Sequence, residues 1–455
     1  MSGVTQRLER LVRKTQRDRR VPAVQVALHR ADRPLWSFQV GTAGPDATLD
    51  SRTQFRIGSV TKTFTAVLVM QARDEGLLDL DDPVSAHLSV PRHGELTLRR
   101  LLSHTSGLQR EPYGDVWDTL RLPTLDQALA ELAQAERVLP PARRFHYSNL
   151  GFTLLGQLVA AKYGATWEEL VTDKVLRPLG LSDTTVQPTE RAATGYLVDV
   201  YSDHARPEPV PDLSAIGPAG QLWSTASDMA RWAAFLADPA TMDPNGAVLS
   251  ANTVEEMIYP LTVRDDVVWS TGFGLGLMLY PQPGRVLDVG HAGAMPGFLA
   301  QVYGRRGPDV PAAMGAAVLF SSGAADGSLE LCQGLLDLSV DEDPPAIEPW
   351  TPGEPAPEAY RSVLGRWWSE GFEYVFSWRD GHLEARAAIA PADQPPAVFE
   401  PVEGDDVLRT VSGREAGELL RLTRDEAGRV VRMHWATYRF TRDQETFDGI
   451  PAWQP

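Results

Sequence analysis

The sequence of 455 residues contains a single cysteine, Cys332. One thiol cannot form a disulfide within the chain, so the fold is expected to hold together without disulfides. Cys332 lies in the apolar run LELCQGLLDL, where a small buried hydrophobic side chain is expected. The segment Met1–Arg20 scatters charges where a secretory signal needs an uninterrupted apolar core, and we interpret it as a surface helix. Both features favour a cytoplasmic location, although a mature secreted chain without its leader would have the same composition.

Long apolar runs and an excess of basic residues are also missing. No stretch reaches the roughly 18 apolar residues that a helical membrane span needs, so no membrane interaction is predicted. Acidic residues number 60 against 43 basic ones, the net charge is −17, and no basic stripe overrides this balance locally. Such a chain would repel a phosphate backbone, so nucleic acid is not an expected partner.

Metal-binding and cofactor-binding motifs are absent as well. The sequence has no HExxH, no CxxC pair and no histidine and carboxylate cluster with the spacing of metal ligands. Residues 272–276, GFGLG, lack the GxGxxG spacing of a dinucleotide-binding loop and are better explained as a strand with close backbone contacts. We therefore expect neither a metal ion nor an organic cofactor.

What is present is an ordinary globular composition, 43% hydrophobic and 23% charged, in a chain long enough for one large and one smaller domain. The large domain is predicted to begin and end with strands and to carry helices between them, an α+β plan in which distant strands meet. Hydrophobic periodicity predicts paired strands in VQVALHR and LWSFQVG, later strands at Val286–Val289 and Ala312–Phe320, and helices at Lys62–Glu75, Leu150–Lys162 and Leu329–Leu338.

A second domain is predicted after a proline- and acid-rich segment. Residues 341–357, DEDPPAIEPWTPGEPAP, disfavour helix and strand alike and are predicted to link domains at 1–340 and 358–455. Beyond this linker, runs of β-favouring residues are broken by turn signals at Asp380-Gly381 and Ala427-Gly428. Such hairpins predict a small antiparallel β-barrel or sandwich, and we expect the barrel.

Ser59 and Lys62 form an SxxK motif that follows the strand-like QFRIG and opens a predicted helix. At positions i and i+3 the hydroxyl and the ammonium share one helix face, close enough for the lysine to hold or accept the serine proton. The helix N-terminus adds free N–H groups that favour developing negative charge. An SxxK motif also occurs in capped surface helices, so its weight depends on the other motifs.

Two further motifs supply groups that such a nucleophile needs. Tyr147-Ser148-Asn149 offers a second proton carrier and an amide that orients a substrate. His291-Ala292-Gly293 follows the strand-like VLDVG, where a small residue and a glycine let an extended substrate approach the strand edge. Taken singly, a buried tyrosine beside a turn asparagine and an isolated histidine are usually structural.

In this order the three motifs resemble those of the serine β-lactamase and penicillin-binding protein superfamily, most closely its class C-like esterase and D-peptidase branch. The stretches RIGSVTKTFTA, LLSHTSGL at 101–108, PLGLSDT at 178–184, GPAGQLWSTASDMARW at 217–232 and GHAGAMPGF at 290–298 resemble the same branch. The resemblance spans residues 10–338. It implies a β-lactamase-like or transpeptidase-like catalytic domain, which the predicted barrel, of lipocalin-like type, would follow.

The resemblance also implies a role for each matching residue. Ser59 is expected to attack the carbonyl, Lys62 and Tyr147 to share general-base and general-acid work, and Asn149 to orient the substrate. The backbone N–H groups of Ser59 and Ala294 are expected to form the oxyanion hole.

The third motif departs from the superfamily pattern. His291-Ala292-Gly293 stands where penicillin targets and β-lactamases usually carry Lys-Thr-Gly, so a fixed cation and a hydroxyl for a substrate carboxylate are missing. Efficient β-lactam hydrolysis is therefore not expected, and esterase, D-specific peptidase, amidase or acyltransferase activity is favoured. His104 and His146 are expected to be structural, because the superfamily mechanism gives them no role.

Three functions stay open at this point. The leading one is a serine hydrolase or acyltransferase that takes a small ester, thioester or peptide substrate. Alternatively, a catalytic domain followed by a lipocalin-like barrel resembles the penicillin-binding-protein-type thioesterases, which cyclise nonribosomal peptides in trans and meet a synthetase carrier domain. The third is a binding module without catalysis, which the intact Ser59, Lys62, Tyr147 and Asn149 disfavour.

Arg439 is predicted as a further substrate-binding residue. In VVRMHWATYRF, strand alternation places Val431, Met433, Trp435, Thr437 and Arg439 in one row. The guanidinium then either stays in water at the barrel rim or points toward Ser59 and pairs with a carboxylate of the acyl donor. The second arrangement would replace the anion recognition that His291-Ala292-Gly293 lacks.

Overall fold

The computed structural model of the protein describes residues 3–444, apart from positions 46, 113, 143, 266, 348 and 393. The chain divides into two compact units, Met1–Ala346 and Ile347–Pro455, and each is described by itself. Within the described ranges, no helix is long and apolar enough to cross a membrane.

The first unit is built around an eight-stranded antiparallel sheet. The strands of this unit are β1 Ala23–Arg30, β2 Arg33–Gly41, β3 Phe55–Arg56, β4 Tyr196–Val198, β5 Ala205–Pro207, β6 Trp223–Ser224, β7 Thr262–Val263, β8 Gly272–Phe273, β9 Met278–Gln282, β10 Val286–Met295, β11 Phe298–Arg306 and β12 Met314–Phe320. Their order in the large sheet is β2-β1-β12-β11-β10-β9-β8-β7, while β3 pairs with β6 and β4 with β5. Val24 on β1 lies opposite Phe320 on β12, which confirms that distant strands meet.

Helices cover both faces of this sheet. They are α1 Gly3–Asp18, α2 Thr61–Asp74, α3 Leu98–Leu102, α4 Val116–Thr119, α5 Leu125–Glu131, α6 Asn149–Tyr163, α7 Trp167–Val171, α8 Gly217–Gly220, α9 Ala226–Ala237, α10 Pro239–Met242, α11 Ala251–Ile258 and α12 Ser328–Glu342. On one face, Val26 of β1 packs in a core with Val12 of α1 and the buried Cys332 of α12. On the other, Ala27 of β1 faces the core that contains α2 and α9. Both faces of β1 are thus buried, as its almost continuous apolar run requires.

Helix α2 lies inside the first unit, and its residues from Thr61 to Ala72 are all buried. The ring of Phe64 on α2 stacks on Trp232 of α9 at 3.9 Å, and the Trp232 indole N–H donates to Thr63 Oγ1 at 2.8 Å. Helix α6 is capped by Ser148, whose hydroxyl accepts from the Gly151 N–H. The predicted helices therefore form, and the one that carries the SxxK lysine is the most enclosed.

Strand β10 is longer than the sequence predicts. It was expected over Val286–Val289 but runs to Met295, so the His291-Ala292-Gly293 motif lies inside the strand rather than after it. Glycines lower the propensity for a strand, but here Gly293 is needed because a Cβ would lie 1.9 Å from the Ile57 carbonyl oxygen. The strand continues to Met295 because β10 pairs with β11 over this whole length, a long-range contact that a local pattern does not report.

The second unit is an up-and-down antiparallel β-barrel. Its elements are α13 Glu358–Arg361, β13 Gly365–Ser369, β14 Phe372–Arg379, β15 His382–Ala387, β16 Ala397–Glu403, β17 Val407–Ser412, β18 Leu419–Arg424, β19 Val430–Trp435 and β20 Tyr438–Phe440, with each strand paired to the next. Trp368 and Thr441 close it through two backbone hydrogen bonds of 2.8 and 3.0 Å. Its interior is filled, and the ring of Trp435 packs against Phe399 and Phe440.

Helix α12 extends to Glu342, so it includes the first two residues of the predicted linker.

The predicted row from Val431 to Arg439 is wrong at its end. Strand β19 stops at Trp435, Ala436 turns the chain with a φ of +51°, and β20 begins at Tyr438. Arg439 therefore lies on the neighbouring antiparallel strand, where it is exposed and pairs in register with His434.

The beginning of the row is displaced too. The register between β18 and β19 shifts between Thr423 and Arg424, which is a β-bulge. As a result Val430 and Met433 are buried, whereas Val431 is 46% exposed. A bulge and a turn each reset the alternation, and neither leaves a clear mark in the residue pattern.

Candidate active site

Ser59 lies in a tight turn between β3 and α2. Residues Gly58–Val60 form a single turn of 3₁₀ helix, and α2 begins directly after it. Gly58 has a φ of +51°, and a Cβ there would lie 2.8 Å from both the N and the O of Ala294. This position requires glycine, because a side chain would be strained and would collide with β10. The turn therefore holds Ser59 at the N-terminal end of α2 and against β10.

Lys62 is fully buried one helical turn beyond Ser59. Its Nζ lies 3.0 Å from Ser59 Oγ and donates a hydrogen bond to the Ala219 carbonyl at 2.6 Å. Burial lowers the pKa of Lys62 well below its usual 10.5; the Glu111 carboxylate opposes this shift, and the Arg110 guanidinium adds to it. An uncharged amine at this distance can take the serine proton, which is what an activated nucleophile needs.

Tyr147 approaches the same hydroxyl from the loop before α6. Its side chain hydrogen-bonds to Ser59, and Lys62 Nζ lies 5.0 Å from the centre of its ring. Burial raises the pKa of Tyr147 above its usual 10 and outweighs the opposite effect of the Ser59 hydrogen bond. The phenol therefore keeps its proton at neutral pH. Beside Ser59, Lys62 can thus accept a proton and Tyr147 can donate one.

Ala294 lies where the predicted oxyanion donor should be. Gly293 lets β10 run beside the serine turn, because a Cβ at this position would lie 3.2 Å from the Ser59 nitrogen. Ala294 follows it, is exposed, and lines one cavity together with Ser59. The structure thus brings the two residues that carry the predicted N–H donors to one cavity; their role in stabilising an oxyanion stays a prediction.

His291 is buried behind these residues and is 3% exposed. Its ring centre lies 6.1 Å from that of Tyr147, and its Nδ1 donates to the Ala292 carbonyl. Burial, assisted by the nearby Lys62, lowers the pKa of His291 to about 3. The imidazole is therefore neutral at physiological pH and cannot supply the cation that the usual Lys-Thr-Gly motif places on this strand.

Asn149 is the first residue of α6, one position before the predicted start of this helix. Its backbone N–H donates to the Arg110 carbonyl at 2.7 Å, and its side-chain Nδ2 donates to Glu111 Oε1 at 2.6 Å. The asparagine is thereby fixed to the segment that follows the SHTSGL stretch. It lines the same cavity as Ser59, as a substrate-orienting residue must.

This cavity has a volume of about 610 Å³ and carries charged residues that the sequence motifs do not include. They are Arg110, Glu111 and Glu208. The guanidinium carbon of Arg110 lies 4.9 Å from the centre of the Tyr147 ring. Arg110 and Glu111 lie two and three residues after the end of the SHTSGL stretch, which was a usable signal, whereas Glu208 follows β5 without any motif.

His104 was expected to be structural, and it holds the segment that carries Tyr147. It is 1% exposed and has a φ of +55°, a strained conformation for a residue other than glycine. Its Nδ1 accepts from the Ser148 N–H at 3.1 Å, and its carbonyl accepts from the His146 N–H at 2.8 Å. Burial lowers the pKa of His104 well below its usual 6.5, so the ring is neutral. His104 thus contacts the chain on both sides of the tyrosine.

Two further predictions concern metals and the barrel. Among the residues that the structure describes, no three His, Cys, Asp or Glu side chains come together as a metal site would need. Arg439 belongs to the second unit, and its role as a substrate anchor stays a prediction.

Comparison with known proteins places this geometry in a family. A family model described as Beta-lactamase matches residues 8–328, and a model described as Domain of unknown function (DUF7586) matches residues 356–442. Penicillin-binding protein 4 of Amycolatopsis lactamdurans is 33% identical over 351 residues, which cover 72% of this chain and 87% of that protein. Beta-lactamase-like protein 2 of Dictyostelium discoideum is 28% identical over 319 residues, which cover 65% of this chain but only 56% of that protein.

Two solved structures show the same fold. SurE aligns with a TM-score of 0.61 and 24% identity, over 97% of this chain and 99% of its own. A D-stereospecific amidohydrolase from Streptomyces sp. aligns with a TM-score of 0.60 and 25% identity, over 72% of this chain and 98% of its own. The family match over residues 8–328 thus agrees with the arrangement around Ser59. The chain belongs to the β-lactamase family, the superfamily of serine β-lactamases and penicillin-binding proteins.

Proposed function

We propose that the protein forms an acyl-Ser59 intermediate from an ester, a thioester or a D-amino-acid-containing amide and transfers the acyl group to water. One observation carries this proposal: the fully buried Lys62 has its Nζ 3.0 Å from Ser59 Oγ and a pKa well below 10.5. Lys62 accepts the serine proton as Oγ attacks the carbonyl carbon. The N–H groups of Ser59 and Ala294 bind the oxyanion, and Tyr147 passes a proton to the leaving group.

An amide or ester is a better candidate substrate than a β-lactam. The buried His291 is neutral, so the strand lacks the cation that would pair with a β-lactam carboxylate. The likeness to a D-stereospecific amidohydrolase supports an amide that contains a D-residue. The single buried thiol, Cys332, is compatible with a cytoplasmic location, which we keep as part of the proposal.

Covalent labelling tests the proposed nucleophile. A fluorophosphonate probe is expected to add one phosphonyl group to the native protein, and intact-mass measurement would detect it. Ser59→Ala should prevent the addition, and Lys62→Ala should slow it by orders of magnitude, because the proton acceptor is lost. Unlabelled native protein would favour the binding module without catalysis.

Peptide cyclisation is a second candidate, with a carrier domain of a nonribosomal peptide synthetase as partner. The observation that favours it is the pair of units, a catalytic fold followed by a closed barrel. In a cyclase the amine end of the bound peptide, rather than water, attacks the acyl-Ser59 carbonyl. A linear peptidyl thioester distinguishes the two functions, because mass spectrometry would detect either the cyclic peptide or the linear acid, which is heavier by one water.

A further inference from the structure

In the proposed mechanism Tyr147 gives its proton to the leaving group and becomes a phenolate. Burial raises the pKa of this phenol above its usual 10, so the phenolate is unfavourable where it forms. The two imidazoles beside it carry no charge, because burial lowers the pKa of both His104, whose ring centre lies 4.4 Å away, and His291, whose ring centre lies 6.1 Å away. The phenolate therefore needs a positive charge from another part of the site.

The Arg110 guanidinium supplies such a charge. Its central carbon lies 4.9 Å from the centre of the Tyr147 ring, within the roughly 6 Å over which a cation and an aromatic ring attract each other. Against the effect of burial, the Ser59 hydrogen bond and then the Arg110 charge lower the pKa of Tyr147. A guanidinium keeps its charge in proteins, whereas the buried Lys62, 5.0 Å from the same ring centre, is uncharged before the attack. Arg110 is thus a permanent cation beside the phenol.

Backbone contacts hold Arg110 next to the tyrosine. The Arg110 carbonyl accepts from the Asn149 N–H at 2.7 Å, and the Ser148 hydroxyl donates to the Gln109 carbonyl at 2.7 Å. This segment is therefore bound to the two residues that directly follow Tyr147 in the chain. The same contacts position the phenol and the guanidinium.

Two features limit how strongly the Arg110 charge acts. Its side chain is 63% exposed, so water screens the charge. Its Nε also lies 3.4 Å from Glu111 Oε1, and this carboxylate adds to the effect of burial on the pKa of Tyr147. We therefore expect the charge to change turnover by about tenfold, which is less than the loss of an oxyanion donor.

We propose that the Arg110 guanidinium stabilises the phenolate that Tyr147 becomes when it protonates the leaving group. This inference rests on the proposed function and adds a residue to its mechanism. The O–H bond of Tyr147 breaks and its proton binds to the leaving oxygen or nitrogen, while Lys62 holds the proton taken from Ser59. That proton then passes back to the phenolate oxygen, which restores both groups. Arg110 acts through Tyr147, as a positioning residue, and does not exchange a proton itself.

The first test compares two esters that deliver the same acyl group. p-Nitrophenolate leaves p-nitrophenyl butyrate without a proton, whereas the ethoxide of ethyl butyrate must be protonated. Arg110→Gln is expected to lower kcat/KM on the order of tenfold for ethyl butyrate and much less for p-nitrophenyl butyrate, each measured on the plateau of its pH profile. Arg110→Lys should recover most of the loss. Arg191→Gln changes the net charge equally at an exposed position outside the cavity lining, and it should alter neither rate.

A double-mutant cycle shows whether Arg110 acts through Tyr147. In a Tyr147→Phe background no phenolate can form, so Arg110→Gln should cause no further loss with ethyl butyrate. A role of Arg110 in binding the butyryl group would lower kcat/KM for both esters equally and would persist in this background.

The pH profile gives an independent measurement, because Arg110 also acts on Lys62. Burial lowers the pKa of Lys62, with Glu111 opposing this shift and Arg110 adding to it. Arg110→Gln should therefore displace the acid limb of kcat/KM to higher pH, whereas Arg110→Lys and Arg191→Gln should keep its position. The charged or titratable groups that face Lys62 are Arg110, Glu111, His104, Tyr147 and His291. Both histidines are neutral, so neither should contribute to this limb.

Three results would overturn the proposal: an equal loss for both esters, a loss that persists beside Tyr147→Phe, or an Arg110→Gln variant that behaves like Arg191→Gln. Ser59→Ala separates this inference from the proposed function. If ester hydrolysis depends on Ser59 while one of these three results is found, the role of Arg110 fails and the proposed function stands. Undiminished hydrolysis of p-nitrophenyl butyrate by Ser59→Ala would overturn the proposed function, and the role of Arg110 with it.

Discussion

The rings of His104 and Tyr147 stack with their centres 4.4 Å apart and their planes inclined by 28°. Together with the hydrogen bonds of His104 to the residues before and after the tyrosine, this contact fixes the phenol beside Ser59. His104 is not among the residues that line the cavity with Ser59. It therefore acts through Tyr147 as a positioning residue.

Replacing His104 should affect turnover more than substrate binding. His104→Ala removes the stacked ring and the acceptor for the Ser148 N–H, so we expect kcat to fall on the order of 10²-fold with little change in KM. His104→Asn keeps an acceptor and tolerates the positive φ, so it should recover part of the activity. Steady-state kinetics with p-nitrophenyl butyrate give kcat and KM for both variants. Normal kcat in a folded His104→Ala variant would show that the stacking is dispensable.

The charge state of Lys62 predicts a pH dependence. Because burial lowers its pKa well below 10.5, kcat/KM should rise with pH through that lowered pKa and then level off. Tyr147 has a raised pKa and His291 one of about 3, so neither should add a limb between pH 5 and 9. A pH–rate profile of acylation tests this, and a bell centred near the ordinary histidine pKa would contradict it.

Lys62 should also make stability depend on pH. Between its lowered folded pKa and 10.5 the unfolded chain binds a proton that the folded chain does not, so stability falls as pH falls through this window. The variant Lys62→Met has no titratable group at this position. The difference in Tm between the native protein and Lys62→Met is therefore expected to shift in favour of the native protein as pH rises from about 7 to 10. A pH-independent difference would mean that Lys62 is charged in the folded state.

Gly58 and Gly76 provide a matched pair for the turn that holds Ser59. Both have a positive φ, +51° and +73°, but a Cβ at Gly58 would collide with Ala294, whereas one at Gly76 would meet no atom within 4 Å. Gly58→Ala should displace Ser59 from β10 and lower kcat by about 10²–10³-fold, as expected when an oxyanion donor is lost. Gly76→Ala should cost only the backbone strain, about 1 kcal/mol, and keep its activity. An equal loss of kcat in Gly58→Ala and Gly76→Ala would show that backbone strain, and not the contact with Ala294, causes the loss.

β-Lactam turnover should be slow. Without a cation on the third motif, we expect kcat/KM for nitrocefin to be on the order of 10²-fold below that for p-nitrophenyl butyrate. Both rates are followed by absorbance with the same preparation, and Ser59→Ala provides the background. Nitrocefin hydrolysis as fast as ester hydrolysis would show that this cleft recognises the lactam carboxylate by other means.

The predicted role of Arg439 as a substrate anchor is tested by comparing two substrates. Arg439→Ala should reduce turnover of a thioester-activated peptide that ends in a D-residue and leave p-nitrophenyl acetate hydrolysis unchanged, if the arginine pairs with a substrate carboxylate. Arg432→Ala, another exposed arginine of the same hairpin, is the control. Equal effects on both substrates, or none, would leave Arg439 as a residue of the barrel surface.

Local patterns predicted the parts of the site that depend on neighbours in sequence. The i, i+3 spacing of Ser59 and Lys62 places both on one helix face, and the paired strands near the start follow from alternation. The approach of Tyr147 to Ser59 was accessible only through the family resemblance, because it depends on how two distant helices pack.

What the sequence could not predict depends on long-range contacts or on interruptions of regular structure. Glu111 becomes part of the site through a hydrogen bond to Asn149, a partner 38 positions away. Arg439 left its predicted row because a turn at Ala436 ends β19, and Val431 left it because of a β-bulge near the start of that strand. The sequence predicts that Lys62 begins an ordinary amphipathic helix. In the structure α2 is buried on all sides, and this burial lowers the pKa of Lys62.

The pairing of β1 with β12 has a consequence for biosynthesis. Val24 emerges from the ribosome long before Phe320, its partner in the sheet, so β1 must wait with one edge unpaired while the residues between them are made. Contacts of such sequence separation fold slowly, and an apolar strand with an open edge is prone to associate with other chains. Fragments that end before β12 should therefore aggregate even though they contain Ser59, Lys62, Tyr147 and Ala294.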